Sequence, residues 1–186
     1  MATQTNTTTE TVKTHGVYFA NLGAYNSGRM IGGWLYPLDY DSYADFEKAI
    51  KKVTRFADEV AVHDYDDFPD MGEYPDFEKL YDLIHVANDR DISLELIEKY
   101  AEHFYCDYDF NDIDNLLDEM QDRFQGFADN FQEFAEMYLE ETCIEFQEIS
   151  SYLKSYFDYE SYARDLEHDF AVILLSDYTV AVYSNC

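Results

Sequence analysis

The stretch Gly126–Glu148, GFADNFQEFAEMYLEETCIEFQE, places the tightest constraint on the fold. Phe127, Phe131, Phe134 and Tyr138 recur at the i, i+4, i+7, i+11 spacing of one helical face. Asp129, Glu133, Glu136 and Glu140 follow the same spacing two residues later. Two residues turn about 200° around a 3.6-residue helix, so the stripes lie nearly opposite. The spacing predicts an amphipathic helix with rings on one face and a row of carboxylates, roughly 4.5–6 Å apart along the axis, on the other. No Lys or Arg lies between Arg123 and Lys154, so no i,i+4 ion pair neutralises the row within the helix. A single stripe of this kind is ordinarily a solvated face. Here the rest of the chain repeats it.

Across 186 residues, 40 Asp and Glu stand against 12 Lys and Arg, a formal net charge of −28. With 47% hydrophobic residues, 18 Tyr and 14 Phe, a core is within reach and disorder is not expected. The charge gives nothing to folding, because a compact body carrying it repels itself. It repels nucleic acid and anionic membranes and steers the chain toward basic surfaces. A halophile's solvated surface is the plain alternative. Cys106, Cys143 and Cys186 are an odd count without metal spacing, which reads as reduced thiols in a cytoplasmic protein. No apolar run reaches membrane-spanning length, and the start lacks a signal-peptide core.

Taken in order, residues 1–14 are a polar, Thr-rich tail, read as flexible. VYFANL (17–22), MIGGWLY (30–36) and EVAVHDY (59–65) read as strands, with NLGAYNSGR as a loop after the first. Gly32 and Gly33 suggest a bulge or close packing against Trp34. Ser42 and Asp45 form a capping box that opens a helix with Phe46, Ile50 and Val53 on one side. Lys48, Lys51, Lys52 and Arg55, the only basic cluster, lie on the other side. These elements predict an N-terminal α+β domain over 15–74. The acid- and turn-rich DYDDFPDMGEYPD (64–76) marks its end. A central helical bundle follows over 75–122, with stripes Phe77/Leu80/Ile84/Ala87, Leu94/Ile97/Tyr100/Ala101/Phe104 (capped by Ser93) and Ile113/Leu116/Leu117/Met120/Phe124 (opened by Asn111). Its outer faces are acidic: Glu95, Glu98, Glu102, Asp107, Asp109, Asp112, Asp114, Asp118, Glu119 and Asp122. Residues 123–186 read as a C-terminal α+β domain: the opening helix, helical segments 151–157 and 158–168, and a hairpin of AVILLS (171–176) and YTVAVYS (178–184). The hairpin is very apolar for so acidic a chain. Together with Tyr152, Leu153, Tyr156 and Tyr159 it points to a homodimer interface in this last third.

Residues that could carry chemistry do not assemble into a reaction centre. Asp107, Asp109, Asn111 and Asp118 approach a calcium loop, but its sixth position is Asp112 instead of Gly and its twelfth is Asp118 instead of Glu. His15, His63, His85, His103 and His168 form no metal motif, and His63 beside Asp64 reads as a hydrogen-bonded structural histidine. No nucleophile elbow, phosphate loop or dinucleotide fingerprint is present. Neither an enzyme, a metal nor a cofactor is expected.

VYFANLGAYNSGRMIGGWLYPLD (17–39), AVHDYDDFP (61–69) and DYESYARDLEHDF (158–170) resemble the ArdA antirestriction proteins of plasmids, transposons and phages. ADNFQEFAEMYLEET (128–142), with Asp129, Glu133, Glu136, Glu140 and Glu141, is similar to that family's acidic antirestriction motif. The resemblance runs from His15 to Tyr183. It implies three small domains in an elongated, bent dimer that imitates B-DNA; the exposed aromatic candidates Tyr152, Tyr156 and Tyr159 are the residues expected at the dimer contact. It implies as partner the methyltransferase core of a type I restriction-modification enzyme, its specificity and modification subunits, and neither nucleic acid nor membrane. Two copies at −28 each carry about the phosphate charge of roughly 28 base pairs, on the order of 95 Å of duplex. Carboxylates fixed on a fold also avoid the ~1–6 kcal/mol that bending real DNA costs. The polar tail and the basic stripe Lys48–Arg55 depart from the pattern. A chaperone or mimic for another basic protein is the rival expectation.

Overall fold

A computed structural model describes residues 15–105 and 112–185. The tail 1–14, Cys106, Asp107, Asp109, Asn111 and Cys186 lie outside them. The architecture is mixed α and β, with two small antiparallel sheets. The chain divides into two compact units at the Leu94–Glu95 junction.

The first unit is built on strands β1 (Gly16–Asn21), β2 (Gly32–Leu35) and β3 (Val60–Asp66), in the order β2-β1-β3. The segment expected as a loop after β1 contains a one-turn helix, α1 (Leu22–Asn26). Asn21 caps it by accepting from the Ala24 amide, so a local side-chain bond decided what turn residues alone suggested otherwise. α2 (Tyr43–Val53) begins where expected, with the Ser42 hydroxyl accepting from the Asp45 amide. It buries Phe46 and Ile50, and α3 (Phe77–Asp89), capped by Asp76, buries Leu80, Tyr81, Leu83, Ile84 and Ala87. Val17, Phe19 and Val62 meet Phe46, Ile50, Leu80 and Tyr81 in one core. On the opposite face of β1, Tyr18 packs edge-on against Trp34 at 5.5 Å.

The two adjacent glycines mark a close approach. Gly32 faces Ala20 and Gly33 faces Phe19. A Cβ at Gly32 would collide with the Phe19 carbonyl oxygen, and one at Gly33 would come within 2.6 Å of Val53. The crowding thus comes from β1 and α2, not from Trp34. The bulge lies in β3, where Tyr18 pairs with Asp64 but Phe19 with Val62. His63 occupies the extra position, its ring edge-on to Tyr25 at 4.7 Å, an aromatic contact where a hydrogen bond was expected.

The second unit opens with α4 (Leu94–Phe104) and α5 (Ile113–Arg123). The cap of α5 is Asp112, one residue later than expected, accepting from the Asn115 amide at 3.2 Å. Phe124–Ala128 is a strand, β4, and the acidic helix α6 starts only at Phe131 and ends at Thr142. Phe124 therefore does not close the α5 stripe, nor does Phe127 open the α6 stripe; both are partly exposed on β4. Gly126 adopts φ +152° beside the bulge in β4, a conformation that other residues rarely take. Three short helices follow: α7 (Ile144–Gln147), α8 (Ser151–Lys154) and α9 (Tyr159–Leu166).

The expected terminal hairpin is present as β5 (Phe170–Leu174) and β6 (Val180–Ser184), but it belongs to a sheet of order β4-β6-β5. β6 is the central strand, and Val180, Ala181, Val182 and Tyr183 are all buried. Val180 and Val182 pack with Phe134 of α6 and with Phe170. Tyr183 meets Tyr100 and Phe104 of α4 at 4.8 and 6.4 Å. Successive side chains leave a strand on opposite faces, so helices cover both sides. That explains an unbroken apolar run: β6 fills this unit's own core, while Leu174 and Tyr178 at the hairpin's tip stay exposed.

Candidate functional site

The acidic residues singled out above fall in the second unit, and the fold sorts them by what their carboxylates already do. Asp107 and Asp109 lie outside the described residues. Glu95, on α4, accepts from the Ser176 amide at 2.7 Å and its hydroxyl at 2.9 Å and pairs with Lys99 at 3.3 Å. Lys99 also donates to the Leu174 carbonyl. Glu95 thus ties α4 to the β5–β6 turn. Glu119, on α5, pairs with Arg123 at 2.8 Å and accepts from the Tyr105 hydroxyl. Arg123 in turn lies 5.0 Å over the Phe104 ring.

On α6, the cap of the helix uses part of the acidic row. Asn130 accepts from the Glu133 amide while Glu133 reaches back to the Asp129 amide at 3.1 Å, a reciprocal cap. Glu136 accepts from Gln132 at 2.9 Å. Glu140 pairs with Lys154 of α8 at 2.6 Å, and the Lys154 ammonium sits 4.7 Å over the Phe146 ring. No local base neutralises the row, as the spacing required, but a cation 14 residues away does so at one end. Asp129 precedes the helix, so the row is three residues on α6 and one at its entrance.

Asp112 and Glu133 therefore cap helices, while Glu95, Glu119 and Glu140 hold tertiary contacts. Glu98, Asp114 and Asp118 also have interactions of their own. Among the described residues, Glu102, Asp122, Asp129 and Glu141 are exposed with carboxylates engaged by no partner. Of the acidic residues singled out from the sequence, they are the charges most available to an outside cation. The caps at Asp112 and Glu133 and the pairs Glu119–Arg123 and Glu136–Gln132 are local, whereas Ser176 and Lys154 reach Glu95 and Glu140 from 81 and 14 positions away. Glu136, Met137, Glu140, Glu141 and Tyr159 line a groove of about 310 Å³. Tyr159 stands against Phe157 and Phe146 at 5.0 and 6.1 Å. Tyr152 and Tyr156 are 68% and 73% exposed, with Leu153 at 54%, and the two rings meet edge to face at 5.3 Å.

Glu95 carries a pH signature. Burial raises its pKa, but the hydrogen bonds from Ser176 and the Lys99 charge outweigh that and hold it below the ordinary glutamate value. A depressed folded value stabilises the fold above the unfolded pKa, and the contribution is lost as pH falls through the folded value. Glu95→Gln should therefore melt below the wild type at neutral pH. The gap should shrink as pH drops below ~4.3, the unperturbed glutamate value. A gap that stayed constant down to acid unfolding would show that the charge of Glu95 contributes nothing.

Among the described residues no three His, Cys, Asp or Glu side chains converge to hold a metal, and no helix is long and apolar enough to cross a membrane. A search of curated proteins gives no match. The family model described as antirestriction protein (ArdA) matches residues 17–180.

Proposed function

The chain belongs to the ArdA family of antirestriction proteins, and from that premise we propose that it imitates the charge of DNA and occupies the DNA-binding groove of a type I restriction-modification enzyme. The contact is with the methyltransferase core of specificity and modification subunits, and the result is protection of incoming mobile or phage DNA. The supporting observation is the exposed, unengaged set Glu102, Asp122, Asp129 and Glu141 on a chain of net charge −28. One helical row offers a charge only every ~5 Å along its axis, against one per ~1.7 Å in duplex DNA. Imitation therefore needs carboxylates from several elements, and these four come from α4, α5, the entrance of α6 and its end. The groove of a DNA-binding enzyme is basic, so the protein should bind tightly at low salt and steeply less well as salt rises.

The decisive experiment is competition. Duplex DNA carrying the enzyme's recognition site should displace the protein in proportion to its concentration. Undiminished binding at saturating DNA would overturn a shared groove. Pull-down from a bacterial lysate separates the rival reading, in which nucleoid or other basic proteins would be captured in place of restriction subunits.

We further propose that two copies associate through Tyr152, Leu153 and Tyr156. With the central strand of the hairpin buried, these three are the well-exposed members of the expected interface, while Ile144, Leu174 and Tyr178 are other exposed apolar side chains of the last third; an exposed patch of this kind marks an interface. Light scattering at micromolar concentration should give a dimer, and changing all three residues to Ser should give a folded monomer. A monomeric wild type would end the idea.

A further inference from the structure

The turn between β5 and β6 holds a tyrosine where hairpin geometry favours glycine. The Leu175 amide donates to the Thr179 carbonyl at 2.9 Å, and the Tyr178 amide donates to the Leu175 carbonyl at 3.0 Å. These bonds close a three-residue loop, a tight turn followed by one residue in the left-handed region, and that last position suits glycine. Tyr178 occupies it at φ 70°, a strained conformation for a bulky side chain. Among the described residues nothing that its side chain touches offsets the strain. The ring is 82% exposed, meets no other ring, and its hydroxyl has no hydrogen-bond partner. The turn itself is firmly tied. Glu95 accepts from the Ser176 amide and hydroxyl, and Lys99 donates to the Leu174 carbonyl at 2.6 Å. Asp177 accepts from the Thr179 amide and hydroxyl at 3.0 and 2.7 Å. A strained residue that a tied scaffold holds in solvent, with no contact of its own, points to a role outside the fold.

We propose that Tyr178 stands in for a nucleobase in the contact with the restriction enzyme, its ring entering a recess of the DNA-binding groove. This rests on the antirestriction reading and adds to it a contact that charge does not supply. DNA presents planar rings with polar edges as well as phosphates. An enzyme that methylates a base draws it out of the stack into a pocket shaped for one such ring. A phenol matches that shape, being flat and apolar with one group at its edge that both donates and accepts. Tyrosine is also among the side chains that concentrate binding energy once a pocket desolvates them. The hairpin delivers it already oriented, so little freedom is lost on binding. Phe56 is the other aromatic residue in the left-handed region, at φ 55°. It follows Arg55, a cation that a basic groove repels, whereas Tyr178 follows Asp177.

Tyr178→Gly, Tyr178→Asn and Tyr178→Trp can be compared with the wild type for melting temperature and for affinity to the methyltransferase core of a type I enzyme that the wild type inhibits. Glycine and asparagine both accept the left-handed region, so those two variants should melt at or above the wild type. Both should bind about tenfold more weakly, by the same factor at low and high salt, because salt screens charges and not the burial of a ring. Tyr178→Trp, which keeps a planar ring with a polar edge, should stay within about threefold of the wild type. Glycine and asparagine variants that bind within about twofold of the wild type, or whose loss fades as salt rises, would overturn the proposal. If duplex DNA still displaced them, the shared groove would stand without the ring. Lower melting of both variants would assign the ring to the fold, and a changed oligomeric state in light scattering would assign it to a second copy; either overturns the proposal. A ring-dependent contact that duplex DNA fails to displace would refute the shared groove, and with it the ring's place as a base.

Discussion

Phe134→Ala should cost about 3–5 kcal/mol, the range for removing a buried ring that its surroundings cannot refill. Phe134 is 3% exposed. Its ring meets Phe170 at 5.4 Å, Phe131 at 5.7 Å and Tyr138 at 5.8 Å. Val180 and Val182 of the central strand complete the cluster. The lining cannot collapse into the void, because β6 is hydrogen-bonded on both edges and packed on both faces. The loss approaches the ~5–15 kcal/mol total of an ordinary domain, so the second unit should be largely unfolded at modest denaturant. Phe127→Ala is the matched control. A single helical stripe would make the two substitutions equally damaging. With Phe127 half-exposed at 52% on a strand, it should cost under ~1 kcal/mol. Denaturant midpoints of the two variants decide between these arrangements, and equal losses would refute the strand.

The contrast between those two phenylalanines shows what a reading of local spacing could reach. Phe131, Phe134 and Tyr138 were legible as a stripe because helical periodicity is local, and so were the apolar faces of α2, α3, α4 and α5. Phe124 and Phe127 continue a helical spacing by coincidence. Their real partner is β6, with Phe124 facing Tyr183 and Phe127 facing Ala181, more than fifty positions away. Pairing at that separation leaves no periodic mark in a five-residue segment. Gly126 was the available signal, since an isolated glycine within a patterned run points to a bulge. β6 itself announced its burial through an unbroken apolar run, but whether such a run is covered by its own chain or by a second copy is not written in it. The acidic site was legible as a population and not residue by residue. Glu95 and Glu102 look alike in sequence, and only the turn at Ser176, brought in from 81 positions away, makes the first a tie and leaves the second free.

That sorting leads to the largest expected functional effect. Converting Glu102, Asp122, Asp129 and Glu141 together to their amides should weaken inhibition of the target enzyme strongly and leave melting unchanged or slightly raised, since only repulsion is removed. Singly, each exposed charge should alter inhibition by less than about fivefold. Jointly, the loss should reach one to two orders of magnitude at low salt and shrink as salt rises, because the steering field is a sum that ions screen. The opposite set, Glu95, Glu119, Glu133 and Glu140, removes the same formal charge but also a hairpin tie, three ion pairs and a helix cap, so its main cost should be stability. The quadruple can then be divided. Glu102 and Asp122 lie on the helices α4 and α5, whereas Asp129 and Glu141 bracket α6, and these helices cover opposite faces of one sheet. A groove that grips a single face should respond to one pair and ignore the other, while a groove that surrounds the unit should respond to both. Full inhibition by the quadruple variant at low salt, with normal melting, would show that these carboxylates are merely solvated and that the contact surface lies elsewhere.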